Sequence, residues 1–169
     1  RHRRLAAPGW FVSGNRVLSD GYVAYQGESA LTRFDRDVLS VPGASHLIVL
    51  EGVNDLFVRP GPTAAQLIAA YRQMIARAHA HGIKVILATI LPFGGPQKHP
   101  VEPYRTRDAI NAWIRANREA DGFIDFDAAI RDPADPLTMK AQWQSGDWLH
   151  PSDVGDRGMG EAIDLKLFR

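Results

Sequence analysis

Near its carboxyl end the chain reads SGDWLHPSDVGDRGMGEAI, residues 145 to 163, which places Asp147 and His150 three positions apart in a stretch punctuated by Gly146 and Pro151. That punctuation assigns the pair to a loop with its side chains free. A histidine held by an acid through one ring nitrogen can act through the other as a general base, taking a proton from a hydroxyl and later returning it to a leaving group. A glycine backbone N–H and a side-chain amide are the donors that a developing oxyanion needs, and Gly14 in VSGNRV and Asn54 in EGVND can supply them. Together these are the parts of an acyl-transfer site without its hydroxyl. Each part also has a plain structural use: Gly14 as a turn glycine, Asn54 as the close of a strand-to-loop turn, His150 as a neighbour of the helix that follows.

Those residues must be carried by regular elements, and the chain supplies them in alternation. GWFVSGN is a short apolar run closed by Gly14. SALTRFDRDVL puts Leu31, Phe34 and Val38 on one helical face, with Ser29 placed to cap its start. HLIVLEG is a continuous apolar run, the pattern of a strand buried on both faces. From Thr63 to Gly82 the residues Leu67, Tyr71, Met74, Ile75 and Ala78 recur at helical spacing, with Thr63 as N-cap and Gly82 as the stop. KVILATI reads as the next buried strand, followed by the Gly- and Pro-rich loop at 92 to 103. TRDAINAWIRANREADG repeats a helical pattern through Ile110, Trp113 and Ile114, FIDF is one more short strand, and a last helix runs from about Ser152 with Val154, Met159, Ala162, Ile163 and Leu167 on its apolar side. Strands alternating with helices in this way imply a parallel sheet covered on both faces. In such a sheet the ligand sits beyond the carboxyl ends of the strands, which is where Gly14, Asn54 and the Asp147–His150 pair fall.

At 169 residues and 45% hydrophobic the chain can bury one substantial core, and it reads as a single domain over 1–169. Lysine and arginine number 20 against 19 acids, which gives no electrostatic case for nucleic acid or an anionic membrane; the RHRR start reads as a solvated end. No apolar run approaches the roughly 18 residues needed to span a bilayer. Without cysteine there is no disulfide frame, no thiolate nucleophile and no cysteine zinc site.

SGN after the first strand, GVND after the next and DWLHPSDVG near the end resemble the second, third and fifth sequence blocks of the SGNH hydrolases, also called the GDSL esterases and lipases. The longer phrases SGNRVLSDG, GESALTRFDRDVL, VLEGVNDL and FDAAIRDP are similar to one bacterial branch of that family. The resemblance implies an α/β fold, a three-layer α/β/α sandwich on a parallel, flavodoxin-like sheet. It also implies hydrolysis of carboxyl esters through an acyl-enzyme, with His150 as base, Asp147 orienting it, and Gly14 and Asn54 as oxyanion donors. No metal or organic cofactor is expected, and the expected partner is a small-molecule or carbohydrate ester.

The first block of the family, a GDS carrying the nucleophile at the end of the first strand, has no counterpart here. Serines stand at 13, 19, 29, 40, 45, 145 and 152, none of them in GDS or in a GxSxG elbow. RHRRLAAP resembles the tail of the helix that would follow that strand. The expectation is therefore an N-terminally incomplete domain whose missing segment supplies both a strand and the serine. The alternative is a catalytically silent module that binds an acyl ester or sugar without a nucleophile.

Trp148 and Tyr104, with His99 and Trp143, are candidates for a pocket wall or sugar platform, core packing being the equal alternative. Glu51 inside an apolar strand requires pairing or protonation if buried, with Arg16 as a possible partner. Asp125 and Asp127 are expected to satisfy a strand end and a turn, and His79 and His81, which do not face each other on a helix, to be solvated at its end.

Overall fold

The computed structural model describes residues 15–21, 27–96 and 100–169. Gly14, Ser13, His99 and the GWFVSG stretch lie outside the described residues. Within them a parallel sheet of three strands runs in the order β1 (His46–Val49), β2 (Lys84–Ala88), β3 (Gly122–Ile124), with Leu47 opposite Val85 and Ile86 opposite Gly122.

Side chains alternate across a strand, and β2 shows what each face meets. Val85 and Leu87 point into a core shared with α1 (Ala30–Phe34), α3 (Ala64–Ala80) and α4 (Val101–Ala116), through Phe34, Leu67, Met74, Ile110 and Ile114. Ile86 and Ala88 point into a second core with α5 (Phe126–Ile130) and α6 (Asp153–Glu161), through Ile130, Met139 and Met159. The result is the expected α/β layering.

The caps explain where helices begin. The Ser29 hydroxyl accepts from Thr32 N–H at 3.2 Å, so this serine starts α1 as its sequence position indicates; a π-helical turn, Asp35–Leu39, then carries the chain on. Thr63 forms a full capping box with Gln66, and Gly82 with φ +71° follows the end of α3. The start of α4 departs from expectation: it begins at Val101 rather than Thr106, so part of the supposed loop is helix. Pro103 sits in the first turn, where a missing N–H sacrifices no intrahelical bond. FIDF is also shorter as a strand than expected, because Asp125 turns away to cap α5 by accepting from Ala128 N–H at 3.1 Å.

One burial expectation fails. β1 was expected to be covered on both faces, yet Ile48 is 41% and Leu50 36% exposed, and among the described residues β1 has a hydrogen-bonded neighbour on one edge only. On the last helix Val154 is 55% exposed; the contact is made by Met159 and by Gly155, which lies against the Trp143 backbone.

Where β2 and β3 end, a buried polar network fastens α4 to the sheet. Asn111 accepts from Ile90 N–H at 2.7 Å and donates to Ile90 C=O at 2.9 Å. Arg107 Nε donates to the carbonyls of Ile90 and Leu91 at 3.1 and 3.0 Å, and its guanidinium pairs with Asp127. Thr89 Oγ1 accepts from Asp127 N–H and donates to Asp125, while Arg115 reaches both carboxylates. Asp125 and Asp127 thus serve strand ends and helix starts, as their positions suggested. Removing a buried partner strands the other charge in low dielectric. Asp127→Ala is therefore expected to destabilise by about 3–5 kcal/mol, whereas Arg115→Ala, at a side chain 33% exposed, should cost roughly 1 kcal/mol or less; urea midpoints of the two variants check the difference.

Candidate active site

Residues 144 to 151 form a tight loop closed at its base by the Gln144–Pro151 bridge and by Ser145 N–H donating to His150 C=O at 2.9 Å. Asp147 organises its tip. Oδ1 accepts from the N–H groups of Leu149 and His150 at 2.9 and 2.8 Å and from the Ser145 hydroxyl at 3.0 Å, while Oδ2 meets His150 Nδ1 at 2.5 Å. Desolvation is the largest single influence and pushes this carboxyl up, but the hydrogen bonds from the His150 ring, from the two N–H groups and from Ser145 together outweigh it and hold the group well below the ordinary carboxylate range. A carboxylate on Nδ1 fixes the ring's tautomer and leaves Nε2 able to take a proton. Both side chains are about half exposed, so a substrate can reach them. The predicted acid–histidine pair is thus assembled.

Asn54 lies on α2 (Val53–Leu56), a single turn just past β1. Gly52 with φ +109° makes the entry to it, and a Cβ there would stand 2.5 Å from the Tyr71 hydroxyl, which donates to Glu51 C=O at 2.7 Å. Asn54 Nδ2 donates to Asn15 C=O at 2.9 Å, and the neighbouring Asp55, almost wholly buried, accepts from Val17 and Leu18 N–H at 2.8 and 3.1 Å. The GVND turn therefore grips the segment that leaves the SGN block. One hydrogen of the Asn54 amide is committed to this grip and the second is available to another acceptor. Gly14 lies outside the described residues. Asp55 was missed in the sequence; an acid directly after Asn54 in an apolar context was the signal, since a buried carboxylate must find donors.

The other candidates make the following contacts. Tyr104 stacks on Phe93 at 4.9 Å, and Phe93 meets Phe57 edge-on at 5.3 Å. Trp148 rests on Gly95, and Trp143 on Gly158 with Lys140 above its ring. His79 Nε2 contacts Asp121 at 2.8 Å and His81 Nδ1 the Arg77 carbonyl at 3.0 Å, so both are tied down at the end of α3. Among the described residues the cation paired with Glu51 is Arg33, at 3.4 Å, in place of the suggested Arg16. Among the described serines, 29 and 152 cap helices, 40 donates to Arg36 C=O, 45 contacts His46 and 145 serves Asp147. None of them hydrogen-bonds to the His150 ring.

A parallel sheet flanked by helices is also the architecture of solved GDSL-like proteins. A GDSL-like lipase from Bacteroides thetaiotaomicron superposes with a TM-score of 0.67 at 24% identity, over 82% of this chain and 68% of its own. A member of the G-D-S-L family of lipolytic proteins from Desulfitobacterium hafniense gives 0.63 at 24%, over 79% and 70%. At such identities the likeness establishes the fold. The family model for the GDSL-like lipases and acylhydrolases matches residues 3–157, and the chain belongs to that family. No curated protein matches it.

Glu51 leads into the GVND turn, and burial pushes its carboxyl up from 4.5 to about 7, with Arg33 opposing and Asp55 adding to the rise. The folded state thus favours the protonated form. Its contribution to stability is fully present below about pH 4.5 and is lost as pH rises through about 7. Glu51→Gln should flatten the stability profile over that interval, by at most about 3.5 kcal/mol at roughly 1.4 kcal/mol per pH unit, as measured by denaturant unfolding across pH.

Proposed function

We propose that the protein is a serine esterase that hydrolyses carboxyl esters of small or carbohydrate-linked acyl groups through an acyl-enzyme. The observation that supports this most is the Asp147–His150 pair, with the carboxylate on Nδ1 and Nε2 left to work. A serine hydroxyl attacks the ester carbonyl as Nε2 takes its proton. The tetrahedral oxyanion is met by the second amide hydrogen of Asn54 and by the Gly14 N–H. The imidazolium returns the proton to the departing alcohol, and water activated by the same ring then releases the acid and frees the serine. No step needs a metal. Trp148 and Tyr104 are assigned to the wall that meets the substrate.

The nucleophile in this proposal rides on a further strand, preceding Arg1, that pairs with the edge of β1 that has no hydrogen-bonded neighbour among the described residues. Two features support that place. Ile48 and Leu50 present apolar surface there, and a cavity of about 220 Å³ lies beside the edge, lined by Phe34, Val38, Leu47 and Ile48 with Arg33 and Glu51. A strand parallel to β1 at this edge delivers the residue after it to the level of Asn54.

A fluorophosphonate tests the reading, because it needs a hydroxyl activated by His150. The protein extended by its upstream segment should label on one serine outside residues 1–169, and His150→Ala should abolish labelling. Label on Ser13, Ser19 or another serine of this chain sinks the upstream assignment; binding of an acylated sugar without any labelling favours the silent module. In the labelling protein Asn54→Ala should lower kcat on the order of 10²–10³-fold, and should also cost about 1 kcal/mol of stability through the lost bond to Asn15.

A further inference from the structure

Trp148 is the one non-glycine residue with positive φ among the described residues, at +63°, and it stands between Asp147 and Leu149. A side chain with a Cβ is disfavoured in the left-handed region, and a bulky residue persists there only where its surroundings hold it. The turn needs that conformation: it brings the N–H groups of Leu149 and His150 back onto Asp147 Oδ1, and with them the ring onto Oδ2.

The surroundings that hold it come from the loop after β2. A Cβ built on Gly95 would lie 2.6 Å from Trp148 Cγ, 2.8 Å from its Cβ and 3.1 Å from Cδ1. These atoms are the root of the side chain, so they cannot swing aside without moving the Trp148 backbone. Gly95 is itself fixed from below. Gly94 N–H donates to Leu137 C=O at 2.6 Å, and the start of the loop is clamped by Asn111 and Arg107 on Ile90 and Leu91.

We propose that Gly95 and Trp148 form a seat that positions the Asp147–His150 pair: the indole root, resting on a residue without a side chain, keeps the 148 backbone left-handed and so holds the imidazole against its carboxylate. Both are positioning residues for the proton transfer. The inference rests on the esterase reading for its kinetic consequence, and on geometry alone for its structural one.

The test uses two readouts in the protein extended by its upstream segment: kcat against KM, and the low-field proton resonance of the imidazole Nδ1–H shared with Asp147. Gly95→Ala should lower kcat by about 10–100-fold with KM nearly unchanged, and should broaden or remove the resonance. Trp148→Gly, which tolerates positive φ without the indole, should keep the resonance, and Trp148→Ala, with the strain and without the seat, should weaken it. Adding Gly95→Ala to Trp148→Gly should then cost little, since nothing remains to collide. Equal damage from Gly95→Ala in both backgrounds, or equal resonances in Trp148→Gly and Trp148→Ala, overturns the proposal. The comparison of those two Trp148 variants stands even if Gly95→Ala alone fails to fold. Because the resonance is read without turnover, loss of the esterase reading and loss of the seat are separately visible.

Discussion

The guanidinium of Arg107 is buried where β2 and β3 end, and it shares with Asn111 and Arg115 the work of satisfying the Ile90 carbonyl and the Asp127 carboxylate. Its Nε takes the carbonyls of Ile90 and Leu91, and its far edge takes Asp127, which begins α5 together with Asp125. Burying a charge is costly unless it is paired and hydrogen-bonded, so this one contact ties three elements into a single arrangement: α4, the loop after β2 and the helix after β3. That loop leaves Ile90 in a set direction, passes Gly94 against Leu137 and presents Gly95 under Trp148. The surface pair of Asp147 and His150 is thereby connected to a buried charge at the sheet edge.

Electrostatics at the two ends of the site differ for a physical reason. Asp147 is half exposed and surrounded by donors, whose hydrogen bonds together outweigh the desolvation of its charge. Past the end of β1, Asp55 is shielded from water and Glu51 is partly buried, and burial pushes both carboxyls up; among the described residues Asp55 answers with two backbone N–H groups and Glu51 with Arg33 at 3.4 Å. The first is suited to orient a histidine that must carry charge transiently. The other two hold chain segments together.

Local patterns were legible in the sequence because they depend on few neighbours. Ser29, Thr63 and Ser152 start helices as a hydroxyl before an apolar-periodic run should. Asp147 and His150 meet because the turn between them is closed by the acid's own hydrogen bonds. What was not legible depends on tertiary neighbours. An apolar HLIVL run implies two covered faces, but whether both are covered depends on what lies beside β1. Helical spacing cannot reveal that Pro103 begins a helix rather than interrupts a loop. Nor could spacing choose Arg33 over Arg16 for Glu51, since that choice depends on how α1 lies across the sheet.

The grip of Asn54 on Asn15 links the fold to the proposed chemistry. An oxyanion donor must be in place before charge develops, since donors that reorganise during the reaction lose much of their effect. A freely rotating amide would have to be ordered at each turnover. Here one amide hydrogen is spent on the Asn15 carbonyl and the following residue, Asp55, is anchored by two N–H groups of the same segment. The amide plane is thereby set, and with it the direction of the remaining hydrogen. Because the anchor is the residue directly after Gly14, any shift of the glycine block moves the Asn54 donor with it, so the two proposed donors keep their relation to each other even if the edge of the sheet breathes.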